Sequence, residues 1–101
     1  MALKLINITN LDKKIQSFKK SNKKIVFTNG CFDLIHPGHI KLLKIAKSKA
    51  DCLILGLNSD KSISSIKGPK RPILKQKERI AILSAIVYID YIVVFNTNKE
   101  D

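Results

Sequence analysis

The sequence is poor in the residues that cross-link or restrain small proteins. Its 101 residues include two cysteines, three prolines, four glycines and no tryptophan. Two cysteines are too few for a disulfide-rich secreted scaffold, and no apolar run approaches the roughly 18–20 residues of a membrane span. Residues 1–7 also lack the long apolar region of a secretory signal peptide. We therefore expect a cytoplasmic protein that has no membrane partner.

Acidic residues are scarce as well, since eight of them stand against 19 basic residues and give a formal net charge of +11. Seventeen of the basic residues are lysine, and lysine binds bases and phosphates less specifically than the forked guanidinium of arginine. This composition favours a solvated basic surface over a dedicated nucleic-acid face, so we do not expect a nucleic-acid partner. The positive field still favours anionic partners, among them phosphorylated small molecules.

Apolar residues make up 45% of the chain, which is enough to build a core, and the length suits one domain over residues 1–101. Three almost entirely apolar runs, at 24–28, 51–57 and 91–95, predict strands that are buried on both faces. Helical spacing of apolar residues predicts helices over 10–20, from 37 or 38 to 49, and over 76–89. Thr9 and Asp12 resemble a capping box that begins the first helix. The segment 61–74 is predicted to be a loop with room for one helical turn at 62–66.

This alternation of helices and strands predicts an α/β fold with a parallel sheet and right-handed crossovers. In such folds ligands bind outside the carboxyl ends of the strands. Those ends are residues 28–33, residues 58–60 and the residues after Phe95. We therefore expect the functional site at this edge of the sheet.

The segment 28–39 joins the first strand to the second helix and contains both histidines of the chain. Because His36 and His39 are three residues apart, their side chains share one face at the start of the helix. The free N–H groups and the positive dipole end of that helix favour anions. Gly30 and Gly38 let the backbone approach a ligand closely. Together these features predict a polyphosphate site.

Two other interpretations of this segment remain open from the residues alone. The histidines can simply cap the helix and pack against it. Zinc ligation by Cys31, His36 and His39, with Asp33 beside them, is disfavoured because the sequence has no second cysteine–histidine cluster to complete the coordination. We therefore expect no metal site made by the protein itself.

The pattern Thr-x-Gly-x-Phe-Asp-x-x-His-x-Gly-His at 28–39 resembles the signature of the cytidylyltransferase-like nucleotidyltransferases. Within that family, the chain resembles the D-glycero-β-D-manno-heptose 1-phosphate adenylyltransferase branch. The resemblance is carried by the stretches 24–39, 51–60, 78–79 and 87–95 and by Lys-Gly-Pro-x-Arg-Pro-Ile at 67–73. The likeness covers nearly the whole chain. In bifunctional relatives this domain follows a sugar-kinase domain.

The resemblance implies a Rossmann-like, three-layer fold and a reaction of ATP with heptose 1-phosphate that gives ADP-heptose and pyrophosphate, a step of lipopolysaccharide biosynthesis. It implies no protein nucleophile. The partners would be ATP and a phosphorylated sugar, and Mg²⁺ would be held through the nucleotide phosphates without a protein cage.

The resemblance also assigns roles to residues. His36 and His39 would donate hydrogen bonds to the triphosphate, Lys67 would bind phosphate from a basic loop, and Arg79 would act as a phosphate clamp. For Lys67 the alternative is a solvated side chain, and for Arg79 it is a surface pair with Glu78. The nucleotide-binding set is Thr28, Asn29, Gly30, Cys31, Phe32, His36, Gly38 and His39.

Four further residues are candidates for binding the acceptor. Asp33 would touch the acceptor or, as we favour, orient and cap a turn. Asn58 and Asp60 are weighted equally between acceptor binding and capping of the next turn. Arg71 is a weaker candidate for the acceptor phosphate, and solvation is its favoured alternative.

Family members continue beyond the length of this sequence with two more strands and a helix. We therefore expect an incomplete nucleotidyltransferase domain whose first strand forms an open, apolar sheet edge. Such a chain would need self-association or a complementing chain for activity. The alternatives are a cytidylyltransferase acting on a small phosphorylated alcohol, and a catalytically silent remnant that binds phosphate or nucleic acid.

Overall fold

The computed structural model describes residues 3–96 of the chain. Its elements, in chain order, are α1 (Ile8–Lys20), β1 (Ile25–Gly30), α2 (Pro37–Ser48), β2 (Cys52–Asn58), α3 (Asp60–Lys67), α4 (Gln76–Ser84) and β3 (Tyr91–Phe95).

The three strands form a parallel sheet in the order β1-β2-β3. Helices cover both of its faces: Leu43 of α2 and Leu83 of α4 pack on one side of β2, and Leu11 of α1 packs on the other. The predicted α/β architecture with a parallel sheet is therefore confirmed. It brings the carboxyl ends of all three strands to one edge.

The strands differ in burial because of their places in the sheet. Every residue of the central strand β2 is buried, as its apolar sequence predicts. The expectation that β1 is buried on both faces is wrong, since Phe27 remains 56% exposed. Within residues 3–96, β1 pairs with β2 alone, so it forms the open apolar edge that the family resemblance implies. The pattern of apolar residues within a strand cannot show whether that strand lies at the centre of the sheet or at its edge.

Helix α1 begins earlier than predicted, and a different residue caps it. Asn7 is the N-cap, and its Oδ1 accepts the N–H of Asn10 at 2.8 Å. The predicted box of Thr9 and Asp12 is therefore wrong. Asn is among the best N-cap residues, and its position two residues before Thr9 moves the start of the helix to Ile8.

The predicted loop at 61–74 contains the eight-residue helix α3. Ser59 caps this helix by accepting the N–H of Ser62 at 3.1 Å. Ile63 is fully buried, so tertiary packing supports a helix that is too short to be stable in isolation. The helical turn predicted at 62–66 is therefore part of a longer helix that extends by two residues at its start and one at its end.

Helix α4 ends at Ser84, five residues before its predicted end at Ile89. The chain then turns through bonds from Ile86 N–H to Leu83 O and from Ile89 N–H to Ile86 O. The Ile86 carbonyl also accepts a hydrogen bond from Lys4 Nζ at 2.8 Å. As a result Ile86 and Ile89 face the core, while Val87 points to solvent.

Lys4 belongs to a short N-terminal segment that the sequence patterns did not predict. Ile6 N–H donates to Ile92 O, and Ile92 N–H donates to Lys4 O, so this segment lies parallel to β3 as an isolated bridge. It covers the β3 edge of the sheet. Within the described residues, no helix is long and apolar enough to cross a bilayer.

Candidate active site

A cleft of about 420 Å³ lies at the carboxyl end of β1. One side, which we call the histidine side, consists of residues 29–33 with His36 and His39. The other, the basic side, carries Lys67 from the end of α3 and Arg71 from the segment that follows it. The structure therefore brings most of the predicted site residues to one place.

Some of the predicted residues do not line this cleft. Thr28 lies in β1 beside Leu55 of β2, and Gly38 lies behind the ring of His36. Asn58, Asp60 and Arg79 form a separate network described below. Residues 97–101, which include most of those after Phe95, lie outside the described part of the chain.

The start of α2 positions the histidine side. His36 is the N-cap, and Pro37 follows at the first helical position, where its fixed φ suits a helix and its missing N–H removes one unpaired donor. The Nδ1 atom of His36 accepts the N–H of Gly38 at 3.1 Å, and Nδ1 of His39 accepts the N–H of His36 at 3.2 Å. The two imidazoles thus form a reciprocal capping box.

This arrangement fixes which ring nitrogen carries the proton. An Nδ1 atom that accepts a hydrogen bond is unprotonated, so in the neutral form each ring is protonated at Nε2. Neither Nε2 has a protein partner within residues 3–96, and both rings line the cleft. The centroids of the two rings lie 4.0 Å apart. The capping alternative is therefore true, yet it leaves both Nε2–H donors free for a ligand.

The surroundings of His39 favour its neutral form. Burial, followed by the charges of His36 and Lys67, lowers the pKa of His39 below its ordinary value of 6.5. The ring also packs against Phe32, with centroids 5.2 Å apart. His39 is consequently a neutral hydrogen-bond donor near pH 7 in the absence of a bound anion.

Close packing explains the two glycines of the segment. A Cβ on Gly30 would lie 2.6 Å from Cε2 of Phe32, and a Cβ on Gly38 would lie 2.7 Å from Cε1 of His36. Phe32 itself has a positive φ of 47°, a strained conformation for a bulky residue. Both glycines thus leave room for a neighbouring aromatic ring that a side chain at the same position would displace.

Asp33 links the two sides of the cleft. Its Oδ1 accepts the N–H groups of Ile73 and Leu74 at 2.8 and 2.9 Å, and its Oδ2 pairs with Nη1 of Arg71 at 2.9 Å. Burial raises the pKa of the Asp33 carboxyl, but these three interactions outweigh it and hold the pKa below 3.8. The carboxylate therefore orients the basic side, which agrees with the favoured positioning role.

The basic side carries two cations, of which one is exposed and the other is held by an ion pair. Lys67 is exposed at the end of α3, before Gly68, which has a φ of 107°. Arg71 is held by Asp33 while 41% of its side chain stays exposed. The solvated state favoured for Arg71 is therefore replaced by an ion pair at the edge of the cleft.

Arg79 is placed differently from the prediction. Its side chain is 0% exposed and makes no contact with the cleft surface, so it is neither a phosphate clamp nor part of a surface pair with Glu78. Its donors go to the carbonyl groups of Leu74, Cys31 and Asn58 and to the Asp60 carboxylate. A buried guanidinium is stable only when paired in this way.

The two remaining acceptor candidates belong to that network and to the start of α3. Asn58 is buried, and its side-chain amide donates to Oγ of Ser62 at 2.9 Å. Asp60 pairs with Nη2 of Arg79 at 2.7 Å. Neither side chain caps α3, so the capping alternative is wrong for both residues, and their contacts hold the start of α3 in place. The helix cap itself is Ser59, which the sequence analysis did not single out.

Two leucines of the cleft were also missed. Leu34 and Leu42 line it and are exposed. Leu42 falls in the apolar pattern of α2, so its spacing alone suggested a core residue. Their exposed apolar surface gives the cleft a wall suited to a flat, weakly polar group.

Within residues 3–96, no group of three or more histidine, cysteine or acidic side chains is arranged to hold a metal ion. The Asp33 carboxylate is engaged by Ile73, Leu74 and Arg71. Cys31 and the two histidines line the same cleft but do not converge on one point as zinc ligands. The residues present do not fit a resident metal bound by protein groups alone.

Comparison with known proteins agrees with this geometry. The chain is 53% identical over 93 residues to the bifunctional protein HldE of Geobacter metallireducens, which is 92% of this chain and 19% of that protein. It is 48% identical over 88 residues to the bifunctional protein HldE of Helicobacter pylori strain J99, again 19% of that protein. The chain thus spans about a fifth of the length of these curated relatives.

A solved structure shares the fold. The lipopolysaccharide core biosynthesis protein from Thermoplasma volcanium GSS1 matches with a TM-score of 0.62 and 28% identity, over 73% of this chain and 59% of that one. The cytidylyltransferase-like family matches residues 27–99, a range that contains the whole histidine side and the basic side. The chain therefore belongs to the cytidylyltransferase-like family.

Proposed function

We propose that this chain forms the nucleotide-binding part of a nucleotidyltransferase that transfers an adenylyl group from ATP to a sugar 1-phosphate, releasing pyrophosphate. The observation that carries the proposal is the pair of imidazoles at the N-terminus of α2, whose Nδ1 atoms are engaged in capping and whose rings line the same cleft as Lys67 and Arg71. Such a cleft suits a triphosphate, because it combines hydrogen-bond donors, a helix N-terminus and two cations.

The proposed chemistry needs no nucleophile from the protein. An oxygen of the acceptor phosphate attacks the α-phosphorus of ATP, and a new phosphorus–oxygen bond forms. The bond from that phosphorus to the bridging oxygen of the β-phosphate breaks in line, and both electrons leave with pyrophosphate. The protein contributes position and charge stabilisation. His36, His39 and Lys67 are proposed to bind the phosphate oxygens, on which negative charge increases in the transition state.

The neutral imidazole of His39 is suited to this task. Its Nε2–H can donate to a phosphate oxygen without first losing the hydration shell of a full charge. The capping bonds at Nδ1 hold both rings in place before the nucleotide arrives, so no reorganisation is needed during the reaction. A bound triphosphate would raise the pKa of His39, because an adjacent anion favours the protonated ring.

We propose that Mg²⁺ enters with the nucleotide as part of the substrate, MgATP. The engaged Asp33 carboxylate leaves the histidine side without a free acidic ligand. The phosphate oxygens and water would therefore supply its coordination.

The substrate assignment rests on the named relatives. Two of them are called bifunctional protein HldE, and the structural neighbour is titled a lipopolysaccharide core biosynthesis protein. Together with the Lys-Gly-Pro-x-Arg-Pro segment at 67–72, they support heptose 1-phosphate as the acceptor, in the cytoplasm, where ATP and sugar phosphates are found. The open edge of β1 supports a role for further chain at that edge, from a second copy or a complementing segment.

The first experiment measures nucleotide binding and pyrophosphate release by the chain. ATP, CTP and GTP are each tested with heptose 1-phosphate and with glycerol 3-phosphate, in the presence of Mg²⁺. We expect ATP to bind most tightly and pyrophosphate release to require the sugar phosphate. Turnover with CTP and the small phosphorylated alcohol alone would establish the cytidylyltransferase alternative. RNA binding without nucleotide binding would establish the silent remnant and overturn the proposal.

A matched pair of lysine variants tests the cleft itself. Lys67 lines the cleft, whereas Lys70 is exposed three residues further on and does not line it. Lys67→Met should weaken ATP binding about tenfold, the effect of losing one hydrogen bond to a charged group, whereas Lys70→Met should leave the affinity nearly unchanged. Equal effects would show that only the overall positive charge attracts the nucleotide.

A further inference from the structure

We infer that Arg79 is a positioning residue that acts together with Asp33 through the peptide groups of Leu74, and that this pair fixes the basic side of the cleft against the histidine side. The inference deepens the proposed function and rests on it for the reaction that the positioning serves. It concerns residues that do not themselves reach the phosphates.

The peptide groups on either side of Leu74 are held from two directions. The N–H of Leu74 donates to Oδ1 of Asp33 at 2.9 Å, and its carbonyl accepts from Nε of Arg79 at 3.0 Å. Asp33 also accepts the N–H of Ile73 at 2.8 Å. The segment that carries Arg71 is therefore fixed at its C-terminal end by both side chains.

Arg79 also bonds to a residue of the histidine side. Its Nη1 donates to the carbonyl of Cys31 at 2.8 Å, two residues before Asp33. Starting at Asp33, the contacts run to Leu74, then to Arg79, then to Cys31 and back along the chain to Asp33. We call this closed set of four residues the Leu74 clasp. It joins residues that are far apart in sequence, over 41 and 48 positions.

The same guanidinium fixes the start of α3. Nη1 also donates to the carbonyl of Asn58 at 2.7 Å, and Nη2 pairs with Asp60 at 2.7 Å. Asp60 is the first residue of α3, and Lys67 is the last. Arg79 therefore holds both ends of the segment that presents Lys67 and Arg71 to the cleft, and its own side chain is completely buried.

Lysine cannot replace Arg79 in this arrangement. A single ammonium group is compact, whereas the planar guanidinium directs donors to four oxygen atoms at once. Arg79→Lys preserves the positive charge beside Asp60 but cannot bridge Leu74, Cys31 and Asn58 together. The spacing of the two sides should then relax, although the charge near the cleft is unchanged.

The test combines amide hydrogen exchange with kinetics. In Arg79→Lys, exchange at Ile73 and Leu74 should accelerate by an order of magnitude, because local opening becomes easier, while the Leu55 amide of β2 stays protected. The kcat for pyrophosphate release should fall about 10²-fold with a much smaller change in the KM for ATP, because a displacement of about 1 Å affects the transfer step most.

Lys47→Met is the matched control. Lys47 pairs with Asp90 at 2.6 Å and donates to Asp51 O at 2.7 Å, so its replacement also removes a structural cation, but away from the cleft. It should lower the melting temperature without the exchange change at Ile73 and Leu74 and without the selective loss of kcat. If Arg79→Lys and Lys47→Met each lose activity in proportion to stability, Arg79 has a structural role only and the inference is overturned.

Asp33→Asn provides a second approach if Arg79→Lys does not fold. It keeps the shape of the side chain and should accelerate exchange at the same two amides. Unchanged exchange at Ile73 and Leu74 in the folded variants would overturn the clasp. If the unaltered chain neither binds any nucleotide nor releases pyrophosphate, the proposed function fails, and the exchange pattern alone then decides whether the clasp exists.

Discussion

The capping box of α2 makes it possible to separate what the two histidines do for the helix from what they do for a ligand. A capping box is ordinarily formed by Ser or Thr at the N-cap with Glu or Gln three residues later. The double substitution His36→Ser with His39→Gln restores that sequence at 36–39. It preserves the backbone bonds now made by both Nδ1 atoms and removes both Nε2–H donors.

The expected magnitudes differ sharply between stability and activity. Loss of an N-cap side chain costs about 0.5–2 kcal/mol, and the double variant should avoid this cost, whereas His36→Ala should incur it. Loss of one donor aimed at developing charge lowers kcat by about 10²–10³-fold. Because the two rings lie 4.0 Å apart and act on the same phosphates, we expect the double loss to be less than the product of the single ones.

The assay pairs thermal unfolding with pyrophosphate release for the unaltered chain, His36→Ala and the double variant. The double variant should unfold at the temperature of the unaltered chain or above it, and its turnover should fall by about 10²-fold or more. His36→Ala should lose both stability and turnover. Full turnover in a stable double variant would refute the reasoning, because it would show that the histidines serve the helix alone.

Three further predictions concern neighbouring residues. Gly38→Ala should reduce turnover and lose the gain expected from helix propensity, because the new Cβ would lie 2.7 Å from the His36 ring and displace it from its cap; equal turnover would contradict this. A thiol reagent should label Cys31 and be blocked by ATP, whereas Cys52, which is buried with a pKa raised to about 11, should stay unlabelled. The lowered pKa of Asp33 stabilises the fold above pH of about 4, and this contribution is lost as the pH falls through the folded pKa. In Asp33→Asn the free energy of unfolding should therefore fall less steeply as the pH is lowered below about 4, and an unchanged pH dependence would contradict the assignment.

The sequence was sufficient to predict the features that depend on local pattern. The apolar run of β2 and the strand–loop–helix segment around His36 each carry their signal within a few neighbouring residues. The same segment carries the family signature, so the histidine side could be predicted almost completely. The carboxyl-end rule for parallel sheets then placed it in the fold.

The errors arise where distant contacts decide the outcome. Arg79 resembles a surface or phosphate-binding arginine in the sequence, because nothing near it indicates that carbonyls 21 and 48 positions away will receive its donors. The length of helix α3 was missed for the same reason, since burial of Ile63 rather than its polar sequence stabilises it beyond the single turn predicted at 62–66. The exposed Phe27 reflects the place of β1 in the sheet, which its own pattern does not contain.

The large positive charge and the candidate site make separate contributions to anion binding. Within residues 3–96, Lys67 is the one lysine that lines the cleft beside the histidines, although the chain has seventeen lysines. The other lysines can raise the local concentration of any anion, but their field is screened by salt over about 10 Å. Selectivity for a triphosphate must therefore come from short, oriented bonds. The imidazoles are oriented by the capping box and Arg71 by Asp33, so the positions of these donors are set by backbone contacts before any ligand binds.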